Sequence, residues 1–121
     1  MGHLELSAHM TVRPGCLDGF KKQAAECIRL TKEKDTHTLR YDWFLNSDQT
    51  ECEVREAYES SEGLIEHRMH IHEALKKLFN EFADGHAVTI YGNPSPKLLE
   101  LAHAEKGVSI KWYPFLNGLW S

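Results

Sequence analysis

Between Leu39 and His67 the chain reads LRYDWFLNSDQTECEVREAYESSEGLIEH. Two runs of period two flank a polar turn, and a helical pattern starts directly after the second. In the first run Leu39, Tyr41, Trp43 and Leu45 share one face, and Thr38, Arg40, Asp42 and Phe44 share the other. In the second, Cys52, Val54, Glu56 and Tyr58 alternate with Glu53, Arg55 and Ala57. Asn46-Ser47-Asp48 supplies turn chemistry between them. Together they read as a β-hairpin. Ser60 or Ser61 can cap the following helix by accepting a backbone N–H bond. That helix carries Leu64, Ile71, Leu75, Leu78 and Phe82 along one stripe. The pattern runs to about Asp84, which predicts a bend or two consecutive pieces, with Gly85 as the stop.

The flanking sequence completes a fold. Leu4, Leu6, Ala8, Met10 and Val12 alternate with Glu5, Ser7, His9 and Thr11, a half-buried strand. Pro14-Gly15 breaks it. Leu17, Phe20, Ala24, Cys27, Ile28 and Thr31 recur at helical spacing and predict an amphipathic helix over 17–34. Residues 87–91 form a fourth strand. Asn93-Pro94-Ser95-Pro96 turns into a short helix, with Ser95 as N-cap and Pro96 at the first position, where its missing N–H costs nothing. Gly107 ends that helix, and 108–113 form a last strand before Pro114. The order is β-α-β-β-α-β plus a short helix and a fifth strand. This is an α+β chain with the split βαβ, ferredoxin-like arrangement. No linker or repeat divides residues 1–121, so a single domain is expected.

Composition narrows the function classes. The net charge of −4 argues against a general nucleic-acid binder, which would present a basic face. No apolar run approaches the ~20 residues that span a bilayer. The start, Met1-Gly2-His3-Leu4-Glu5-Leu6-Ser7, lacks the basic and apolar regions of a signal peptide. Leu6 stands where a myristoylation motif wants Ser or Thr. Cys16, Cys27 and Cys52 are too few and too scattered for a disulfide framework. A reducing cytoplasm is the compartment expected, and Cys27 is a small core residue on an apolar helix face.

His67 is the first candidate for chemistry. It lies three residues after Leu64 and four before Ile71, beside the apolar stripe. An imidazole there can hold or move a proton near neutral pH; the plainer role is a core-edge histidine bonded to Glu56 or a backbone carbonyl. Glu56 shares a face with Val54 and Tyr58, and a buried carboxylate needs a partner. His67, Arg40 and Arg55 are the candidates, although Arg55 has the opposite parity. The plainer role for Glu56 is an ion pair that locks helix to hairpin. Tyr41, Trp43 and Tyr58 can line a pocket or simply fill the core. The run His67-Arg68-Met69-His70-Ile71-His72 invites a metal reading. Only His67 and His70 have same-face spacing, and no HExxH pattern accompanies them, so no metal site is expected. No nucleophile elbow and no G-x-G-x-x-G loop occurs, so neither nucleophilic catalysis nor a nucleotide cofactor is indicated.

Three passages carry a family resemblance. Glu33 with Thr38-Leu39-Arg40-Tyr41 resembles the passage from first helix to second strand in the antibiotic biosynthesis monooxygenase superfamily. Glu56-Ala57-Tyr58, with Ser61 and His67 following, resembles that family's Glu-x-(Trp/Tyr), turn and His-bearing helix. Tyr91-Gly92-Asn93-Pro94-Ser95-Pro96 resembles the turn after the fourth strand in some members. His37 departs from the glycine usual there, which supplies a positive φ. The haem-degrading branch is not matched: His9, His67 and Lys77 stand where its Asn, Trp and His belong.

The resemblance implies a dimeric ferredoxin-like α/β barrel. It implies a cofactor-independent monooxygenase acting on a small aromatic, quinol or polyketide-like substrate, with no cofactor and no metal. His67 would then move the proton, Glu56 would orient it, and Tyr41, Trp43 and Tyr58 would touch substrate. An enolate isomerase needs the same proton transfer. A non-enzymatic dimeric small-molecule-binding or stress-response protein is the alternative from a different class. The expected partner is a second copy, through the sheet face bearing His9 and through the apolar segment Trp112-Tyr113-Pro114-Phe115-Leu116-Asn117-Gly118-Leu119-Trp120. Neither nucleic acid nor membrane is an expected partner.

Overall fold

A computed structural model describes residues 3–120. The elements follow the expected order: β1 (Leu4–Val12), α1 (Leu17–Lys34), β2 (Thr38–Leu45), β3 (Glu51–Tyr58), α2 (Ser61–Glu81), β4 (Ala83–Tyr91), α3 (Pro96–Ala104) and β5 (Ser109–Tyr113). They form one five-stranded sheet in the order β2-β3-β1-β4-β5. Pairing is antiparallel except between β4 and β5, where α3 makes the crossover that parallel strands require. The architecture is the α+β, ferredoxin-like one.

The period-two residues of β1 drive the packing. Leu4, Leu6, Ala8, Met10 and Val12 are all buried and meet Phe20 of α1, Leu64 and Leu78 of α2, and Leu98 of α3. The opposite face carries the polar set of β1. There His9 lies between Glu51 at 2.7 Å and Glu53 at 2.5 Å.

Local departures have physical causes. The helix α2 is one unbroken 21-residue helix that ends at Glu81, not near Asp84. The sheet captures the chain at once, because Ala83 pairs with Val12. Gly85 therefore does not stop the helix. It sits inside β4 at φ +69°, where the register against β1 slips between His9 and Thr11. An extra residue at a bulge needs that left-handed conformation, which glycine adopts freely. Ser60 is the N-cap of α2, and Ser61 instead accepts from the Ser95 N–H at 2.9 Å. Leu39 leaves the face of Tyr41, Trp43 and Leu45, because the register of β2 slips between Thr38 and Arg40. It is 56% exposed. His37 does not take a positive φ; among the described non-glycine residues only Gln49 does.

Candidate functional site

The hairpin of β2 and β3 and the start of α2 bring the predicted residues to one place. His67 is completely buried, facing the sheet between Leu64 and Ile71. Its Nδ1 lies 2.8 Å from Asp35 Oδ2. Asp35 is the C-cap of α1, so the reversal from α1 into β2 delivers its carboxylate. That carboxylate also accepts from Thr38 Oγ1 at 2.6 Å and from His70 Nδ1 at 2.6 Å. Burial pushes the Asp35 carboxyl up, but the bonds from His67, Thr38 and His70 outweigh it and hold it at about 2. An ionised Asp35 accepts only, so the bonded Nδ1 carries a proton, and in the neutral ring it is Nε2 that keeps the lone pair.

Nε2 is buried without a hydrogen-bond partner among the described residues. It faces Glu56 Oε1 at 4.0 Å. Asp35, rather than Glu56, thus orients the ring. Glu56 points inward on β3, and the Tyr58 hydroxyl donates to it. Burial pushes the Glu56 carboxyl above its usual range, with His67 and Tyr58 pulling back. Burial also raises the phenols of Tyr41 and Tyr58. The Tyr41 ring meets the His67 ring edge-on, centroids 4.5 Å apart. Trp43 packs against Tyr41 at 5.8 Å and against Phe20 at 6.0 Å. Arg40 is taken by Asp42 at 2.8 Å. The guanidinium whose charge lowers Glu56 is that of Arg68, next to His67 on α2.

Two cavities meet here. A gap of 20 Å³ lies among Tyr41, Trp43, Glu56 and His67, room for about one water. Beside it a cleft of 620 Å³ opens between α2, α3 and the sheet. Leu6, Arg68 and Val88 are walls of both. At the rim Arg68 pairs with Glu105 at 3.1 Å. Tyr58 is a wall of neither; it stands behind Glu56 with its hydroxyl committed.

Among the described residues, the donors that could gather on a cation are Asp35, Glu66 and His70, with ligand atoms within 4.8 Å of one another. This is not the His67–His70 pair that helix spacing offered. All three are already engaged: Asp35 with His70, and Glu66 with the Thr36 N–H at 2.9 Å.

Sequence reasoning missed Asp35, Arg68 and the cleft. An acidic residue at the end of α1, three positions before a strand-opening Thr38, was the available signal for Asp35. Nothing in the spacing marks Arg68, because its role depends on where α3 folds back.

No protein-family model and no curated protein matches this sequence. Solved structures do. MupZ from Pseudomonas fluorescens superposes with a TM-score of 0.79 at 18% identity, over 98% of this chain and 94% of that one. Two proteins each named "putative antibiotic biosynthesis monooxygenase" also superpose. The one from Nitrosomonas europaea has a TM-score of 0.67 at 17% identity, over 78% of this chain and 93% of its own. The one from Caulobacter crescentus has 0.67 at 18%, over 74% and 87%. The α+β, ferredoxin-like fold is the one these structures share. At these identities the likeness is one of fold, and the chemistry has to be argued from the site.

Proposed function

We propose that this chain is a cofactor-independent monooxygenase acting on a small aromatic, quinol or polyketide-like substrate. One observation carries the reading: a buried imidazole, anchored through Nδ1 on Asp35, presents an unpaired Nε2 to the gap before Glu56. This is the arrangement of a positioned general base. Nε2 takes a phenol or enol proton. The anion passes one electron to O₂, and the two radicals combine into a hydroperoxide at carbon. Loss of water then leaves a carbonyl, so one oxygen atom enters the product and the other leaves as water. Glu56, above its usual carboxylate range, keeps a proton available for the departing oxygen. Tyr41 and Trp43 wall the reacting edge, Tyr58 holds Glu56, and the rest of the substrate lies in the adjoining cleft. The names of the structural neighbours support the oxygenase assignment.

The test is oxygen uptake with a panel of hydroquinones, anthrones and 1,3-diketones. Replacing His67 by Ala should lower uptake by about 10²–10⁴-fold with the fold retained. A folded variant with unchanged uptake removes His67 from the mechanism. Turnover that persists without oxygen would move the site to enolate isomerisation. The small size of the gap favours a second reading, a dimeric binding protein whose interior is filled by Tyr41 and Trp43. Uptake with no member of the panel would favour it.

A further inference from the structure

The 620 Å³ cleft falls in the usual size range of small-molecule sites. Its walls are unlike those of the inner gap. Leu64, Ile65, Val88, Ile90, Leu98 and Ile110 supply aliphatic surface, and no Phe, Tyr or Trp is among the lining residues. Apart from the His72 imidazole and the Arg68 guanidinium, a flat aromatic ring would find nothing in the lining to stack on, whereas a flexible aliphatic chain would lie against the methyl groups of the aliphatic walls. The charged lining groups are Arg68 and Glu105, which neutralise each other across the rim. Their side chains are 31% and 41% exposed, so the pair is accessible to exchange. A guanidinium prefers a planar carboxylate held by two parallel bonds. A ligand carboxylate can therefore take the place of Glu105 on Arg68. Arg68 also walls the inner gap, so the head group would be held by a residue that borders the same space as Glu56 and His67.

We infer that the cleft binds an aliphatic carboxylic acid, its chain against α3 and its carboxylate on Arg68 in place of Glu105. This deepens the polyketide-like branch of the oxygenase reading, in which an enolisable carbon of the chain reacts, and it rests on that reading only for the identity of the reacting carbons.

The experiment is calorimetric titration of the full chain with decanoate, decanol and 2-naphthoate. Decanoate should bind one to one, and both others at least about tenfold more weakly. Arg68→Gln should erase the preference of decanoate over decanol. Leu101→Trp, at a position already 43% exposed, should weaken decanoate at least about tenfold by filling the cleft. Leu98→Trp repeats the test from the buried side of α3, with circular dichroism checking both folds. Glu105→Gln should tighten decanoate, since the internal competitor for Arg68 is gone. Naphthoate binding as tightly as decanoate overturns the inference. So does decanoate affinity indifferent to Arg68→Gln, or to Leu101→Trp in a folded protein. The two readings fail separately. Decanoate bound as expected with no oxygen uptake sinks the oxygenase alone, and uptake with no decanoate binding sinks this inference alone.

Discussion

His67 and Asp35, thirty-two residues apart, are joined by a 2.8 Å bond with both side chains almost fully buried. The bond ties α2 to the end of α1 and aims Nε2 at Glu56. A histidine whose second nitrogen is fixed by a carboxylate has one orientation and one tautomer. The pair therefore serves both stability and chemistry, and the two can be measured apart.

Asp35→Asn should separate them. The Asp35 carboxyl is depressed from 3.8 to about 2, so its contribution is fully present above pH ~4 and lost as the pH falls through about 2. That contribution amounts to roughly 2 kcal/mol. Urea unfolding of the wild type should weaken across this window, and the variant should be less stable at pH 7 but flatter there. Oxygen uptake should fall roughly 10²-fold, because Nδ1 no longer donates to an anion. A variant with the same acid profile as the wild type would dissolve the assignment.

Glu56→Gln should behave in the opposite sense. The Glu56 carboxyl is raised by burial. Its favourable form is the protonated one, present at low pH and lost as the pH rises through the raised value. Glutamine keeps the size and the acceptor for Tyr58 without an ionisable proton. Urea midpoints at pH 5 and pH 8 should therefore shift in favour of the variant at the higher pH. A constant difference between the two proteins would show that Glu56 does not titrate in this range.

Gly63→Ala tests a close approach. Alanine inside a helix usually stabilises by about 1 kcal/mol over glycine. At Gly63 an added Cβ would lie 3.1 Å from the His37 carbonyl oxygen, which is held by the Glu59 N–H at 3.1 Å. The gain should vanish or reverse by about 1 kcal/mol, read as a lower melting temperature. A melting temperature raised by several degrees would show that His37 moves aside.

Truncation after Tyr113 addresses assembly. Leu116, Leu119 and Trp120 are 94%, 85% and 93% exposed, an apolar surface that favours association. Native mass spectrometry should find the full chain as a dimer and the truncated chain as monomer or aggregate. An unchanged dimer would leave the open sheet face, with His9, Glu51 and Glu53, as the sole interface to test.

The elements were legible because one buried face imposes a period. Leu4 to Val12 could be read as a strand with its inner face named, and Leu64, His67 and Ile71 as one helix stripe. The inward face of Glu56 followed from Val54 and Tyr58. Boundaries were legible only where local chemistry set them, as with Ser95 and Pro96. They were misread where pairing overrode it: Gly85 looks like a helix stop, yet the register of β4 against β1 uses it as a bulge. Leu39 looks inward by parity, and a slip in β2 turns it out.

Sequence by itself determined the order of strands and helices, the inward side of each, and the candidacy of His67 and Glu56, since these depend on spacings of two to four residues. Only the tertiary structure decided that Asp35 holds His67, that Arg68 stands between gap and cleft, and that α3 makes that cleft aliphatic. Those relationships join residues more than thirty positions apart. Their distances are set by how helices settle on a twisted sheet, which no local periodicity encodes.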